Sequence, residues 1–179
     1  MFKLGAKELR ELTPDPEQVA AIKRSPIYFV LDEILDTYNI GSLFRLADAI
    51  AAEKMYLCGR METPPLSKIH DAAVGTEKWV PWEKVATTLE AVKDLKSRGV
   101  QIVAVEQDPR AIWYHQLKPK FPLALVLGNE TFGISKEVLN EADAIIQLPM
   151  LGVNKSFNVW GSAAVVAYKV SGALPKTKA

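Results

Sequence analysis

Apolar residues follow two rhythms along this chain. Short runs without alternation, at Ile27–Leu31, Met55–Cys58, Val100–Val105, Leu123–Leu127 and Ala144–Leu148, predict strands covered on both faces, as in parallel sheets. Between them the apolar positions recur at helical spacing: Leu43, Leu46, Ala47 and Ile50 in one segment, then Leu66–Val74, Thr88–Arg98 and an alanine- and valine-rich helix after Asn158. Gly75 and Gly99 are placed to stop the second and third helices. Asn39 is placed to cap the first, with Gly41 removing bulk from its opening turn. Lys78–Trp82 reads as an extended piece, and Asp108-Pro109 as the start of a short helix carrying Trp113, Tyr114 and His115. Ahead of the first strand, Leu4–Leu12 and Glu17–Arg24 read as short amphipathic helices, with Asp15 capping the second and Pro16 in its first turn.

Strands and helices that alternate in this way predict an α/β fold, a parallel sheet flanked by helices. The expected organisation is a short helical extension over residues 1–26, one domain over 27–171 and a loose tail over 172–179. Such folds place ligands in the loops that leave the carboxyl ends of strands. Gly128–Ser135 and Pro149–Asn158 are therefore expected to line one pocket. The second loop carries Met150, Leu151, Val153 and Phe157, apolar groups expected to turn inward around something apolar.

Composition adds less. With 49% hydrophobic and 24% charged residues the chain is an ordinary soluble globule, and a net charge of +1 neither announces nor excludes RNA. The single cysteine, Cys58, falls in the run MYLC and is expected to be a buried strand residue. One cysteine gives no disulfide framework, and two histidines give no metal-ligand spacing. No signal-peptide core and no membrane-length apolar run is present, so a cytoplasmic location away from membranes is expected.

Gly128-Asn129-Glu130-Thr131-Phe132-Gly133-Ile134-Ser135 has the glycine separation of a phosphate-binding P-loop. That motif needs Lys-Ser/Thr directly after its second glycine; Ile134-Ser135 follows here, and Glu130 puts negative charge where phosphates would sit. A GxGxxG dinucleotide fingerprint is also absent. Two readings remain for this loop: one that lets a ligand approach the backbone beside a carboxylate, or a plain turn with Ser135 capping the next helix. Ser156 and Asn158 either offer a hydroxyl and an amide near the free N–H groups of the last helix, or simply cap it. Arg45, three residues before Asp48, is either half of a surface ion pair or a functional guanidinium.

Taken together, three stretches resemble the SpoU (TrmH-type) family of RNA ribose 2′-O-methyltransferases within the SPOUT superfamily. They are Asn39-Ile40-Gly41-x-x-x-Arg45-x-Ala47, then Leu125-Val126-Leu127-Gly128-Asn129-Glu130-x-x-Gly133-Ile134-Ser135, and Leu148-Pro149-Met150-x-Gly152-x-x-x-Ser156-Phe157-Asn158-Val159. Val74-Gly75-Thr76-Glu77 fits the family's middle segment, and the similarity runs from about Ile27 to Lys169. The resemblance implies a deep C-terminal trefoil knot, S-adenosylmethionine as cofactor and a homodimer whose active site uses both chains. By position it implies that Leu127, Gly128, Asn129, Leu148, Met150 and Phe157 bind the cofactor. Arg45, Asn39, Glu130, Ser156 and Asn158 form the implied catalytic group, with Arg45 reaching the cofactor of the other subunit. Phe157 stands where the family usually has leucine, Thr131 where glycine is frequent, and Trp160-Gly161 where small residues are usual.

The implied substrate is RNA, tRNA ahead of rRNA, because no separate RNA-binding domain is expected ahead of the catalytic one. Lys118, Lys120, Lys155 and the basic residues near the start (Lys3, Lys7, Arg10, Lys23 and Arg24) are candidate backbone contacts, which predicts salt-sensitive binding. A solvated face is the other reading of those N-terminal charges. Two other functions stay open: a noncatalytic RNA-binding or cofactor-sensing module on the same fold, separable by a methyl-transfer assay, and an unrelated nucleotide-binding protein, separable by calorimetry with ATP against S-adenosylmethionine.

Overall fold

The computed structural model describes residues 5–175. Leu4 of the first expected helix, Lys3 and the end of the tail, with Lys176 and Lys178, lie outside them. Two short helices, α1 (Ala6–Glu11) and α2 (Pro16–Ala20), precede the sheet. Asp15 caps α2 by accepting the Glu17 N–H at 2.9 Å, with Pro16 opening the helix. Helix α1 is tied down: the Arg10 guanidinium donates to the Asp71 carbonyl at 2.9 Å, and Lys78 Nζ donates to the Arg10 carbonyl at 2.7 Å.

The sheet contains β1 (Ser25–Asp32), β2 (Ala52–Cys58), β3 (Trp82–Val85), β4 (Gln101–Val105), β5 (Ile112–Trp113), β6 (Leu123–Gly128) and β7 (Ala144–Gln147). Their spatial order is β3-β2-β1-β6-β4-β7-β5, and every pairing is parallel. β6 lies between β1 and β4, and all six of its residues are buried, as its unbroken apolar run requires.

Alternate strand residues feed two cores. On one face Phe29, Leu31, Leu125 and Leu127 pack with α3 (Thr37–Ala49), α4 (Ser67–Ala73) and α7 (Val159–Ser171). On the other, Val30, Ala104, Ala124 and Val126 pack with α5 (Thr88–Ser97) and α6 (Lys136–Glu141). Ala163, Val166, Ala167 and Val170 form the buried stripe of α7, at the i, i+3, i+4, i+7 spacing of one helix face. Cys58 is fully buried in β2, and burial pushes its thiol up to about 12. No described helix is long and apolar enough to cross a membrane.

Three local expectations need correction. Asn39 does not cap α3: Asp36 does, accepting the Tyr38 N–H at 2.8 Å, so Asn39 falls inside the first turn and is buried. No α-helix follows Asp108-Pro109; after that turn come the two-residue β5 and a 3-10 turn over Tyr114–Gln116. Lys78–Trp82 is not one extended piece, because a 3-10 turn over Thr76–Lys78 precedes β3. Gly41 removes bulk for a tertiary reason. An added Cβ would meet Ala72 Cβ at 2.5 Å and the Ile69 carbonyl oxygen at 2.7 Å, so α3 and α4 pack closely there.

Candidate active site

The register brings four strand ends, those of β1, β6, β4 and β7, to one edge of the sheet. Asp32 pairs with Gly128, Val105 with Leu127 and Val105 with Ile146. Loops 128–135 and 149–158 leave from this edge and line one cavity of about 700 Å³ with the end of β4, a volume suited to a small organic ligand.

The first loop is folded largely by its own side chains. Asn129 Oδ1 accepts the N–H groups of Thr131 at 2.8 Å and Phe132 at 3.1 Å, while its Nδ2 donates to the Glu33 carbonyl at 2.7 Å. The Gly133 N–H donates to the Asn129 carbonyl at 2.9 Å. Gly128 is required by this fold-back: an added Cβ would lie 2.5 Å from Gly133 C and Ile134 N. Ser135 occupies the cap position of α6, but its side chain makes no cap bond; its N–H donates to Asp32 Oδ2 at 3.2 Å.

Glu130 joins this loop to the first half of the chain. Its carboxylate accepts the N–H groups of Leu35 at 3.0 Å and Asp36 at 3.2 Å, and the Asn39 amide at 2.8 Å. Partial burial pushes the Glu130 carboxyl up, but the N–H donors at Leu35, Asn39 and Asp36 outweigh it and hold it below the usual glutamate value. Asn158 Nδ2 in turn donates to Asn39 Oδ1 at 3.1 Å, and Asn158 Oδ1 caps α7 through the Trp160 N–H at 2.9 Å. Glu130, Asn39 and Asn158 thus form one chain across three segments distant in sequence. Asn158 thus caps the helix, as one of its two sequence readings expects, and also completes the chain.

Ser156 lines the same cavity, its hydroxyl donating to Asn154 Oδ1 at 3.1 Å. Leu127, Gly128, Asn129, Leu148, Met150 and Phe157 line it too. Arg45 does not. It is exposed on α3 and forms no ion pair among the described residues; Asp48 accepts the Trp79 indole N–H at 2.7 Å instead, which removes the surface-pair reading.

The second loop departs from expectation. Leu151 is 95% and Val153 98% exposed, so these two side chains do not turn inward; Met150 and Phe157 line the cavity from the loop's two ends. Two sequence departures go together. An added Cβ at Gly161 would stand 2.8 Å from the Phe157 ring, so glycine at 161 makes room for the larger side chain at 157.

Sequence reasoning missed Glu106 and Gln107, which follow β4 and also line the cavity. Glu106 Oε2 accepts the Ile134 N–H at 2.9 Å, and Gln107 Nε2 donates to the Lys155 carbonyl, so the pair touches both loops. The signal was present: Glu106 directly follows an apolar run, as Gly128 does.

A wholly parallel sheet with a ligand-sized cavity at its carboxyl edge defines an α/β ligand-binding domain of the open-sheet kind. Comparison with known proteins narrows the class. The profile of the SpoU rRNA Methylase family matches residues 26–168, and the chain belongs to that family. Among curated relatives, a tRNA (guanosine(18)-2′-O)-methyltransferase of Borreliella burgdorferi is 27% identical over 154 residues, 86% of this chain and 70% of the relative. Among solved structures, an AdoMet-bound rRNA methyltransferase from Sinorhizobium meliloti superposes with a TM-score of 0.79 at 25% identity, over 94% of this chain and 61% of that one. A TrmH/SpoU tRNA-modifying enzyme from Aquifex aeolicus gives 0.77 at 27% identity, over 93% and 81%. The chain thus spans about three-fifths of the Sinorhizobium enzyme's length.

Proposed function

We propose that this protein is an RNA ribose 2′-O-methyltransferase that uses S-adenosylmethionine and acts on tRNA. The observation that carries the reading is the cavity at the carboxyl edge of the sheet. Its two loops hold the family's second and third motifs, and the Glu130–Asn39–Asn158 chain ties them to the first. The lining suits this cofactor: Leu127, Leu148, Met150 and Phe157 offer apolar surface, and Glu106 offers a carboxylate toward a cationic ligand.

S-adenosylmethionine supplies an electrophilic methyl group on a cationic sulfur. The chain's own residues handle the other reactant. A ribose hydroxyl is a weak nucleophile, so placing it accounts for much of the rate. Arg45 is always charged and is no simple base; it clamps the neighbouring phosphate and aligns the 2′-hydroxyl. Ser156 and Asn158 fix the orientation of that hydroxyl. Glu130 holds Asn39 and the Leu35–Asp36 turn in place.

The finer parts of the reading have separate support. Arg45 lies outside its own chain's cavity and is exposed, which suits a residue serving the site of a second copy. Helix α7 carries a second apolar stripe, with Val165 and Tyr168 exposed opposite its buried face. A homodimer that covers this stripe would bury it. A trefoil knot fits a strand order in which β6 is inserted between β1 and β4 while α7 returns onto α3 and β6. The names of the relatives include both tRNA and rRNA enzymes; tRNA is preferred here because the described domain is compact.

The test is transfer of labelled methyl groups from S-adenosylmethionine to total tRNA and rRNA from cells lacking this gene. Label recovered in alkali-stable dinucleotides of tRNA supports the reading, since a methylated 2′-oxygen blocks strand cleavage. Label confined to rRNA would overturn the substrate, and no label in either RNA would leave the noncatalytic module as the better account.

A further inference from the structure

The cavity holds two carboxylates without a basic partner. Glu130 directs its oxygens to Leu35, Asp36 and Asn39. Glu106 accepts the Ile134 N–H on Oε2 at 2.9 Å and the Gln107 N–H on Oε1 at 2.8 Å, which leaves each oxygen a second acceptor site. Among the described residues no lysine or arginine pairs with either carboxylate. The lysine that lines the cavity, Lys155, has its Nζ on the Gly152 carbonyl at 3.0 Å.

A half-buried carboxylate without a counter-charge is an unfavourable arrangement that a cationic ligand relieves. The structure also fixes where Glu106 stands. Gly133 packs directly against it, close enough that a Cβ there would overlap Glu106 Oε2. Gln107 carries the same strand end to the second loop. The carboxylate is therefore held at the junction of both loops and β4.

We propose that Glu106 is a specificity-determining residue that distinguishes the charged methyl donor from its neutral-sulfur product. This inference rests on the cofactor reading above. As the ribose oxygen takes the methyl group and gives up its proton to water, the S–C bonding pair stays on sulfur and the positive charge there is lost. The attraction to Glu106 falls at the moment of transfer, which favours release of S-adenosylhomocysteine and rebinding of fresh donor.

The test is calorimetric binding of three probes to wild-type protein and to Glu106→Gln, which keeps an acceptor oxygen for Ile134. The probes are S-adenosylmethionine, sinefungin (an ammonium-bearing carbon in place of the sulfonium) and S-adenosylhomocysteine. Expected is an affinity loss of about tenfold for the two cationic probes and an unchanged Kd for S-adenosylhomocysteine. An equal loss for all three, or none for any, overturns the proposal. A second measurement uses only wild-type protein: its preference for S-adenosylmethionine over S-adenosylhomocysteine is expected to narrow as salt rises from low to high ionic strength, and a salt-independent preference overturns the proposal as well. Wild-type protein that binds none of the probes refutes the cofactor reading itself, an outcome distinct from either.

Discussion

The loop after β6 and the loop after β7 enclose the same cavity but are built in opposite ways. In the first, bonds run both within the loop and out to distant segments of the protein. Asn129 holds two N–H groups of its own loop and the Glu33 carbonyl, Glu130 reaches two backbone amides and Asn39, and Glu106 and Asp32 receive Ile134 and Ser135. In the second, bonds are local or terminal: Lys155 to Gly152, Ser156 to Asn154, Gln107 to Lys155 and Asn158 to Asn39, while Leu151 and Val153 stand in solvent. One wall of the site is preformed; the other leaves apolar surface for a ligand or a second copy to cover. A prepaid wall lowers the ordering cost of binding, and a sparsely bonded one lets ligand enter and leave.

The largest expected effect lies outside both loops. Arg45→Ala is expected to reduce methyl transfer at saturating cofactor about a hundredfold or more while leaving the thermal midpoint unchanged, because Arg45 is exposed and makes no side-chain bond among the described residues; near wild-type turnover would remove it from the catalytic group. Next comes the preformed wall. Gly133 has φ +67° and packs against Glu106, so Gly133→Ala is expected to cost about 1–3 kcal/mol in denaturant unfolding. An unchanged midpoint would show that this wall is looser than its bonds imply.

Acid acts on the same wall. The folded-state value of Glu130 lies below its ordinary 4.5, so the stability it adds is full above that value and is lost as pH falls through the lower folded value. Thermal midpoints measured from pH 6 down to pH 3 are expected to fall less steeply in Glu130→Gln than in wild type; parallel curves would contradict this. The smallest effect belongs to the second loop. A Cβ at Gly152 meets nothing within 4 Å, so Gly152→Ala is expected to change stability by no more than about 0.5 kcal/mol, and a larger loss would show that this loop is tighter than it looks.

What was legible in the sequence follows the same division. The unbroken run Leu123–Leu127 announced a strand covered on both faces, and the loops at the ends of that run and of Ala144–Leu148 announced the cavity, because burial and strand polarity leave a mark in one dimension. Sheet order left none: nothing in the spacing places β6 between β1 and β4. Asn39 was misread because Asp36, an equally good cap, lies three residues earlier. Only the fold shows that Asn39 is buried against Glu130, across 91 residues of chain. Two-residue β5 is too short to carry a period. Leu151 and Val153 read as inward-facing because they are apolar, a one-way rule that fails at the surface, where much of the exposed area is apolar too.

Amide hydrogen exchange across the two loops, with and without S-adenosylmethionine, tests the central claim most directly. The account predicts slow exchange at Thr131–Ile134 in the free protein with little change on binding, and a clear slowing confined to residues 151–158 once the cofactor is added. Cofactor-independent rates in the second loop, or fast exchange in the first, would contradict it.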